Sequence, residues 1–225
     1  VRMMPGRSVP PSNDDTWRIF RIMAEFVEGF ETLSKAGPCV TIFGSARTLK
    51  DDRYYALAEQ VARVAVKNGY GVITGGGGGI MEAANKGAFE AQGNSIGLNI
   101  QLPFEQVANK FVKTLLSFRH FFCRKVMFLK YTSAVIVLPG GYGTMDELFE
   151  ALTLIQTQKS SNLPLVLMGT GYWSGLLDWL RKSTLVDNYI SPEDMAMVNA
   201  TDDPDEAIAI INTFYKKRDT AVNFA

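Results

Sequence analysis

From Cys39 onward the chain repeats one unit: a short apolar run, a glycine-bearing turn, then ten or more residues with helical spacing. The runs CVTIFGSA (39–46), YGVITG (70–75), NSIGLNI (94–100), SAVIVLPG (133–140), LPLVLMG (163–169) and MAMVNAT (195–201) read as strands, with a further strand over 111–116. Helical periodicity covers 52–68, 80–91, 120–130, 144–158, 172–183 and 203–217. Strands with so little polar alternation offer no face to water and must be covered on both sides. Alternated with helices, they predict βαβ crossovers and a parallel sheet. The expected fold class is therefore α/β, a doubly wound parallel sheet. No composition break and no repeat of 20–50 residues divides residues 38–225, so one domain is expected there.

An N-terminal helical extension precedes it. Over 14–37, Asp14 and Asp15 introduce Trp17, Ile19, Phe20, Ile22, Met23, Phe26, Val27, Phe30 and Leu33, and the pattern stops near Gly37-Pro38. So broad an apolar face calls for a cover, either the sheet or a second subunit. Residues 1–13, rich in Pro, Gly, Ser and Arg, read as a flexible arm.

Composition removes several functional classes. The 23 Lys and Arg balance 23 Asp and Glu, so no basic excess exists to hold a nucleic-acid backbone. A small anionic ligand needs only a local site and survives this test. No apolar run reaches the roughly 18–20 residues that span a bilayer, and no signal-peptide core is visible, so a cytoplasmic location is expected by elimination. Two cysteines, Cys39 and Cys123, make no disulfide framework and read as buried reduced thiols. With a single histidine beside them they leave little for a zinc site, and no metal is expected.

In open parallel sheets ligands bind beyond the carboxyl ends of the strands. That rule selects three loops: Gly44-Ser45-Ala46-Arg47, Gly75 to Gly79, and Pro139 to Thr144. The glycines Gly75, Gly76, Gly77, Gly78 and Gly79 lead into a helix near Ile80, and their bare backbone lets an anion approach the helix N-terminus. The competing reading is a tight turn that needs positive φ. Gly140-Gly141-Tyr142-Gly143-Thr144 repeats the architecture and adds a hydroxyl. Neither loop is a Walker A motif, and neither has the dinucleotide G-x-G-x-x-G register. Glu147 lies three residues past Thr144; it completes a Thr-x-x-Glu capping box or supplies a carboxylate to a ligand's sugar. Asp146, about 100° away around the helix, is expected to face elsewhere. In Phe118-Arg119-His120-Phe121-Phe122-Cys123-Arg124-Lys125, cations alternate with aromatics. Arg119, Arg124 and Lys125 suit a phosphate; the alternative is an amphipathic helix with Phe121, Phe122, Met127 and Phe128 buried and the cations solvated.

Arg124-Lys125 followed by Pro139-Gly-Gly-Tyr-Gly-Thr-Met-Asp-Glu147 resembles the signature of the LONELY GUY (LOG) family, an Arg-Lys helix followed by PGGxGTxxE. The segments GGGGGIMEAANKGA (75–88) and FGSAR (43–47) are similar to that family's glycine loop and first strand end, and the resemblance covers about Cys39 to Phe214. It implies a Rossmann-like fold without a dinucleotide cofactor. It implies a phosphoribohydrolase, which releases a cytokinin or adenine from a nucleoside 5′-monophosphate and leaves ribose 5-phosphate. Arg124 and Glu147 would then be the catalytic pair, and Gly140 to Thr144 the phosphate loop, helped by Gly75 to Gly79. Ser45, Glu82, Arg119 and Lys125 are further substrate-binding candidates by position. The resemblance also implies a homo-oligomer, a dimer at least, with no nucleic-acid or membrane partner. Many members have carried the label lysine decarboxylase, yet nothing in this chain resembles a pyridoxal-phosphate lysine site. The chain departs from many relatives in its unbroken glycine run and in its long N-terminal helix. A looser likeness to molybdenum-cofactor carriers of the same fold gives the rival reading, a binding protein without turnover. A DNA-processing module of this fold is a third, opposed by the neutral charge.

Overall fold

The computed structural model describes residues 13–102 and 107–216, with side chains from Trp17 onward. The arm expected over 1–13 lies outside them except for Asn13, and so do the side chains of Asp14 and Asp15. The strands are β1 (Cys39–Phe43), β2 (Gly71–Thr74), β3 (Ser95–Ile100), β4 (Thr114–Phe118), β5 (Ala134–Val137), β6 (Leu165–Met168) and β7 (Val198–Thr201). The helices are α1 (Asn13–Leu33), α2 (Arg53–Lys67), α3 (Ile80–Glu90), α4 (Phe121–Lys130), α5 (Tyr142–Gln156), α6 (Thr170–Trp179), α7 (Pro192–Met195) and α8 (Pro204–Lys216). No helix among the described residues is long and apolar enough to cross a membrane.

All seven strands are parallel, in the order β4-β3-β2-β1-β5-β6-β7. The expected doubly wound α/β architecture is what forms. Every residue of β1, β2, β3, β5 and β6 is buried, as two-sided coverage requires. One core joins α4, α5 and α6 to the sheet through Met127, Phe128, Leu148, Ala151 and Trp173. The other joins α2, α3 and α8 through Val61, Ala83, Ala84 and Ile208. The chain winds outward from β1 to β4, then returns to lay β5 against the other side of β1. The loops after β1 and β5 therefore lead away on opposite faces, and a crevice opens between them.

Local chemistry explains where the elements depart from the sequence pattern. Asn109 folds its own turn, its side chain accepting from the Phe111 N–H, so β4 starts at Thr114 and not at Phe111. Ser191 and Asp194 make a capping box that holds Met195 in α7 and delays β7 to Val198. Asp202 accepts from the backbone N–H groups of Gly169 and Thr170, which starts α6 early; the chain then relaxes into a π-turn over Leu180–Thr184.

Helix α1 packs on α4 and not across the sheet. Leu33 is buried, Ile22 and Phe26 pack against the same core, and Gly29 lies so close to Met127 that a Cβ there would be 2.7 Å from its methyl carbon. Trp17, Ile19, Phe20, Met23 and Val27 on the far side are more than half exposed.

The helix pair α2–α3 is tighter still. A Cβ at Gly87 would lie 2.1 Å from the carbonyl oxygen of Glu59, which is backbone and cannot swing away. In an ordinary helix interior Gly→Ala stabilises by about 1 kcal/mol. Here the sign should reverse: Gly87→Ala is expected to cost roughly 1–3 kcal/mol, read as a lower urea midpoint at unchanged m-value.

Candidate active site

The crevice at the β1/β5 switch holds a cleft of about 870 Å³. Gly44 to Arg47 after β1, Gly75 after β2, and Gly140 to Glu147 after β5 line it, with Arg124 and Phe121 from α4. The two central loops are bonded together: the Ser45 N–H donates to the Pro139 carbonyl at 3.0 Å. Gly140 fills the junction. A Cβ there would meet the Thr144 hydroxyl at 2.1 Å and the Ser45 nitrogen at 2.9 Å, so no side chain fits. The Tyr172 hydroxyl donates to the Gly140 carbonyl at 2.6 Å and fixes the loop from the α6 side.

Helix α5 begins at Tyr142 with Gly141 as N-cap, and no side chain caps it. The Thr-x-x-Glu capping box therefore does not form, because Thr144 already lies in the first turn, its N–H bonded to the Gly141 carbonyl. Two consequences follow. The first turn lines the cleft and presents its dipole end there, and the Glu147 carboxylate is released from capping duty. Glu147 sits one turn along, 6% exposed, on the cleft wall.

Arg124 comes from α4, opposite. Its guanidinium lies 5.1 Å from the Phe128 ring centroid and 5.9 Å from that of Phe121. Its Nε is buried with no hydrogen-bond partner. Such an atom needs an explanation, and an anionic ligand supplies one. The amphipathic alternative for this helix is reversed by the structure: Met127 and Phe128 are buried as expected, but Phe121 and Phe122 are exposed while Arg124 and Lys125 turn inward. Phe121 is thereby free to line the cleft.

Burial dominates the electrostatics. It pushes the Glu147 carboxyl from 4.5 up to about 7, although Lys125 and Arg124 pull it down. Burial likewise depresses Arg124, partly offset by Glu147. Lys125 lies behind the carboxylates, not in the cleft lining. Its ammonium is 2.6 Å from Glu150, 2.8 Å from Asp146 and 4.0 Å from Glu147. Burial works against its charge, but the bonds to Asp146 and Glu150 outweigh that and raise its pKa. Asp146, expected to face elsewhere, lines the cleft beside Glu147.

Of the residues singled out from sequence, the fold brings Ser45, Gly75, Arg124, Gly140 to Thr144 and Glu147 to one cleft. It places others elsewhere in this chain. Glu82 is ion-paired to Lys50 at 3.0 Å, and Arg119 donates to the Gln101 side chain. Gly76 to Gly79 lie beneath the cleft surface. Here the turn reading accounts for much: Gly76 and Gly79 have φ of +72° and +62°, and a Cβ at Gly79 would lie 2.3 Å from the Ser45 carbonyl oxygen. The first N–H of α3, from Ile80, is spent on that same carbonyl. A buried network fastens the loop, with the Asn109 amide donating to the carbonyls of Gly76 and Gly77 and to Asn85 Oδ1. Sequence reading passed over Asn85, Asn109 and Tyr172, which lie in no recognisable pattern. It also passed over Met81 as a cleft residue, though Met81 follows a flagged loop closely; Arg47, inside the flagged β1 loop, does line the cleft.

Comparison with known proteins bears on this geometry. A family model described as possible lysine decarboxylase matches residues 81–211. A cytokinin riboside 5′-monophosphate phosphoribohydrolase of Mycobacterium tuberculosis is 30% identical over 157 residues, covering 68% of this chain and 82% of the relative. The chain belongs to the LOG family. A probable enzyme of the same name from rice (Oryza sativa subsp. japonica) is a further LOG relative, 28% identical over 158 residues, or 68% of this chain; the match spans 63% of that longer protein. Among solved structures, the molybdenum cofactor binding protein of Rippkaea orientalis superposes with a TM-score of 0.59 at 23% identity, over 79% of this chain and 97% of that one. That likeness establishes the fold.

A stability signature follows from Glu147. Its folded-state pKa is raised, so the folded protein keeps a proton that the unfolded chain loses. Stability should fall as pH rises from about 4.5 to about 7, then level off. Glu147→Gln cannot ionise and should lack this decline. Denaturant melts at pH 5 and pH 8 should show the variant gaining on the parent by about 3 kcal/mol at the higher pH.

Proposed function

We propose that this cleft binds a nucleoside 5′-monophosphate and hydrolyses its N-glycosidic bond, releasing a purine base, cytokinin or adenine, and ribose 5-phosphate. The observation that carries the reading is the convergence, at one uncapped helix mouth, of a half-buried arginine whose buried Nε lacks an acceptor with a buried glutamate. The names of the LOG relatives support it.

In this reading the 5′-phosphate lies against the first turn of α5, over Gly140 to Thr144, where backbone N–H groups and the helix dipole favour an anion. Arg124 adds the positive charge. Glu147, a turn further on, meets the ribose. As the C1′–N bond lengthens, positive charge develops at C1′, and an ionised carboxylate there stabilises it. Glu147 also orients a water molecule; the water oxygen bonds to C1′ as the C1′–N bond breaks, one water proton ends on the departing base, and the other stays on the new hydroxyl. Phosphate binding, remote from the breaking bond, supplies the energy that orients the sugar. Phe121, Met81 and Met145 line the same cleft and offer apolar surface to a base. The working form in this reading is a homo-oligomer, a dimer at least, which light scattering measures directly.

A panel of nucleoside 5′-monophosphates assayed for free base tests the proposal. Purine monophosphates should release base. Glu147→Gln and Arg124→Ala should each lower turnover by roughly 100-fold or more while the protein stays folded. Near-parental turnover by Glu147→Gln would sink the assignment. Tight binding of a phosphorylated ligand without release of base would point instead to a carrier.

The pH profile is a separate check. If the ionised carboxylate acts, base release should rise through about pH 7 and then plateau. Lys125 holds the Glu147 pKa down, so Lys125→Met should move the rising limb to higher pH. A Lys125 that bound phosphate directly would instead raise KM with the limb unmoved.

A further inference from the structure

The chain has a single histidine and two cysteines. The fold brings that histidine, His120, together with Cys123 and with Glu25 of α1, outside the cleft lining. Their ligand atoms all lie within 4.8 Å of one another, with Glu25 and Cys123 buried and His120 nearly so. We propose that Glu25, His120 and Cys123 form a binding site for one divalent cation of the zinc type, joining α1 to the start of α4.

The donor set is the first argument. A carboxylate, an imidazole and a thiolate are the three side-chain ligand types that zinc takes, and three protein ligands leave a fourth position for water. Hard cations such as magnesium and calcium prefer oxygen alone. Geometry is the second. His120 Nδ1 lies 3.0 Å from Glu25 Oε1. Around a tetrahedral zinc the nitrogen–oxygen and nitrogen–sulfur separations are roughly 3.3 and 3.6 Å. The thiol then has to close by up to about 1.2 Å, within the reach of a side-chain adjustment.

Hydrogen bonding alone is the competing account. Glu25 accepts from the backbone N–H groups of Arg119 and His120 at 3.1 and 3.3 Å, and so caps α4 from another helix. The His120 imidazole and the buried Cys123 thiol also bond to Glu25, which takes up its roughly four lone-pair sites. A cation held by the same three groups would replace the imidazole and thiol bonds with three coordinate bonds. Binding balances simply near neutral pH: the thiol gives up its proton to solvent, the neutral imidazole binds through Nδ1 and keeps its proton on Nε2, and the carboxylate enters ionised. None of the three residues lines the cleft, so the site stands or falls apart from the proposed glycosidic chemistry.

Cobalt(II) is the probe, because a cobalt–thiolate bond gives a charge-transfer band in the near ultraviolet. Chelator-treated full-length protein titrated with cobalt should develop that band to saturation at one equivalent per chain, and zinc should abolish it. Cys123→Ser should lose the band, Cys39→Ala should keep it, and His120→Gln should weaken binding by roughly tenfold or more. No thiolate band in the parent protein, or a band that survives in Cys123→Ser, would overturn the proposal. The parent titration alone decides this even where a variant fails to fold.

Discussion

Strand β1 lies between β2 and β5, and the direction of winding reverses there. Two loops leave adjacent strand ends on opposite faces, so neither can cover the gap between them. The gap is closed only at its base, by the Ser45 to Pro139 bond and by Gly140 seated against both Ser45 and Thr144. Everything that faces the cleft takes its position from that junction. The first turn of α5 starts just beyond it, and Glu147 follows one turn later at a distance fixed by helical rise. Replacing Gly140 by any other residue would push the two loops apart, which is why this glycine is a constraint on function as well as on packing.

Charge placement shows what the fold gives up for that geometry. Lys125 at 4.0 Å from Glu147 would contribute on the order of 4 kcal/mol at the effective dielectric of a protein surface. Yet burial still wins, and Glu147 stays protonated to about pH 7. Loss of solvation is the largest cause, and the negative charges of Glu150 and Asp146, which also hold Lys125 more closely, add to it. A lysine committed to Glu147 alone would leave an ordinary ion pair with a depressed pKa and a carboxylate less available to a substrate. A shared lysine keeps Glu147 near its ionisation point at neutral pH, where a group that handles protons is most useful. Arg124 is treated similarly, half-buried beside two aromatic rings with its Nε lacking an acceptor. Burial opposes both charges, and their mutual attraction offsets it only in part.

The architecture was legible because it rests on local pattern. Strands buried at every residue read as unbroken apolar runs, and their alternation with helices leaves little choice of topology. Boundaries shifted where a side chain supplied a bond that periodicity does not encode: Asn109 before β4, Asp202 before α6, the Ser191–Asp194 box before β7. The same distinction governs the site. Arg124, Glu147 and Gly140 to Thr144 stand in a dense motif and could be named. Tyr172, Asn85 and Asn109 act through hydrogen bonds to residues distant in sequence, and no spacing rule reaches 32 residues from Tyr172 to Gly140. Lys125 was visible as a cation, but which way it turns depends on Glu150, one helix face away on another element.

The two glycine loops look alike in sequence and are unlike in space. Each follows a strand and precedes a helix, so each was a candidate phosphate cradle. At α5 the loop ends in Gly141, with no side-chain cap and a first turn open to the cleft. At α3 the first N–H is taken by Ser45, Gly79 is pressed on the Ser45 backbone, and Asn109 ties down the carbonyls. A helix end whose donors are already bonded has little left to offer an anion. The pentaglycine run packs tightly against the β1 loop, and Gly75 is its one residue in the cleft lining. Two features that sequence presents as a pair are separated by the destination of one backbone N–H group, a quantity that only the folded chain defines.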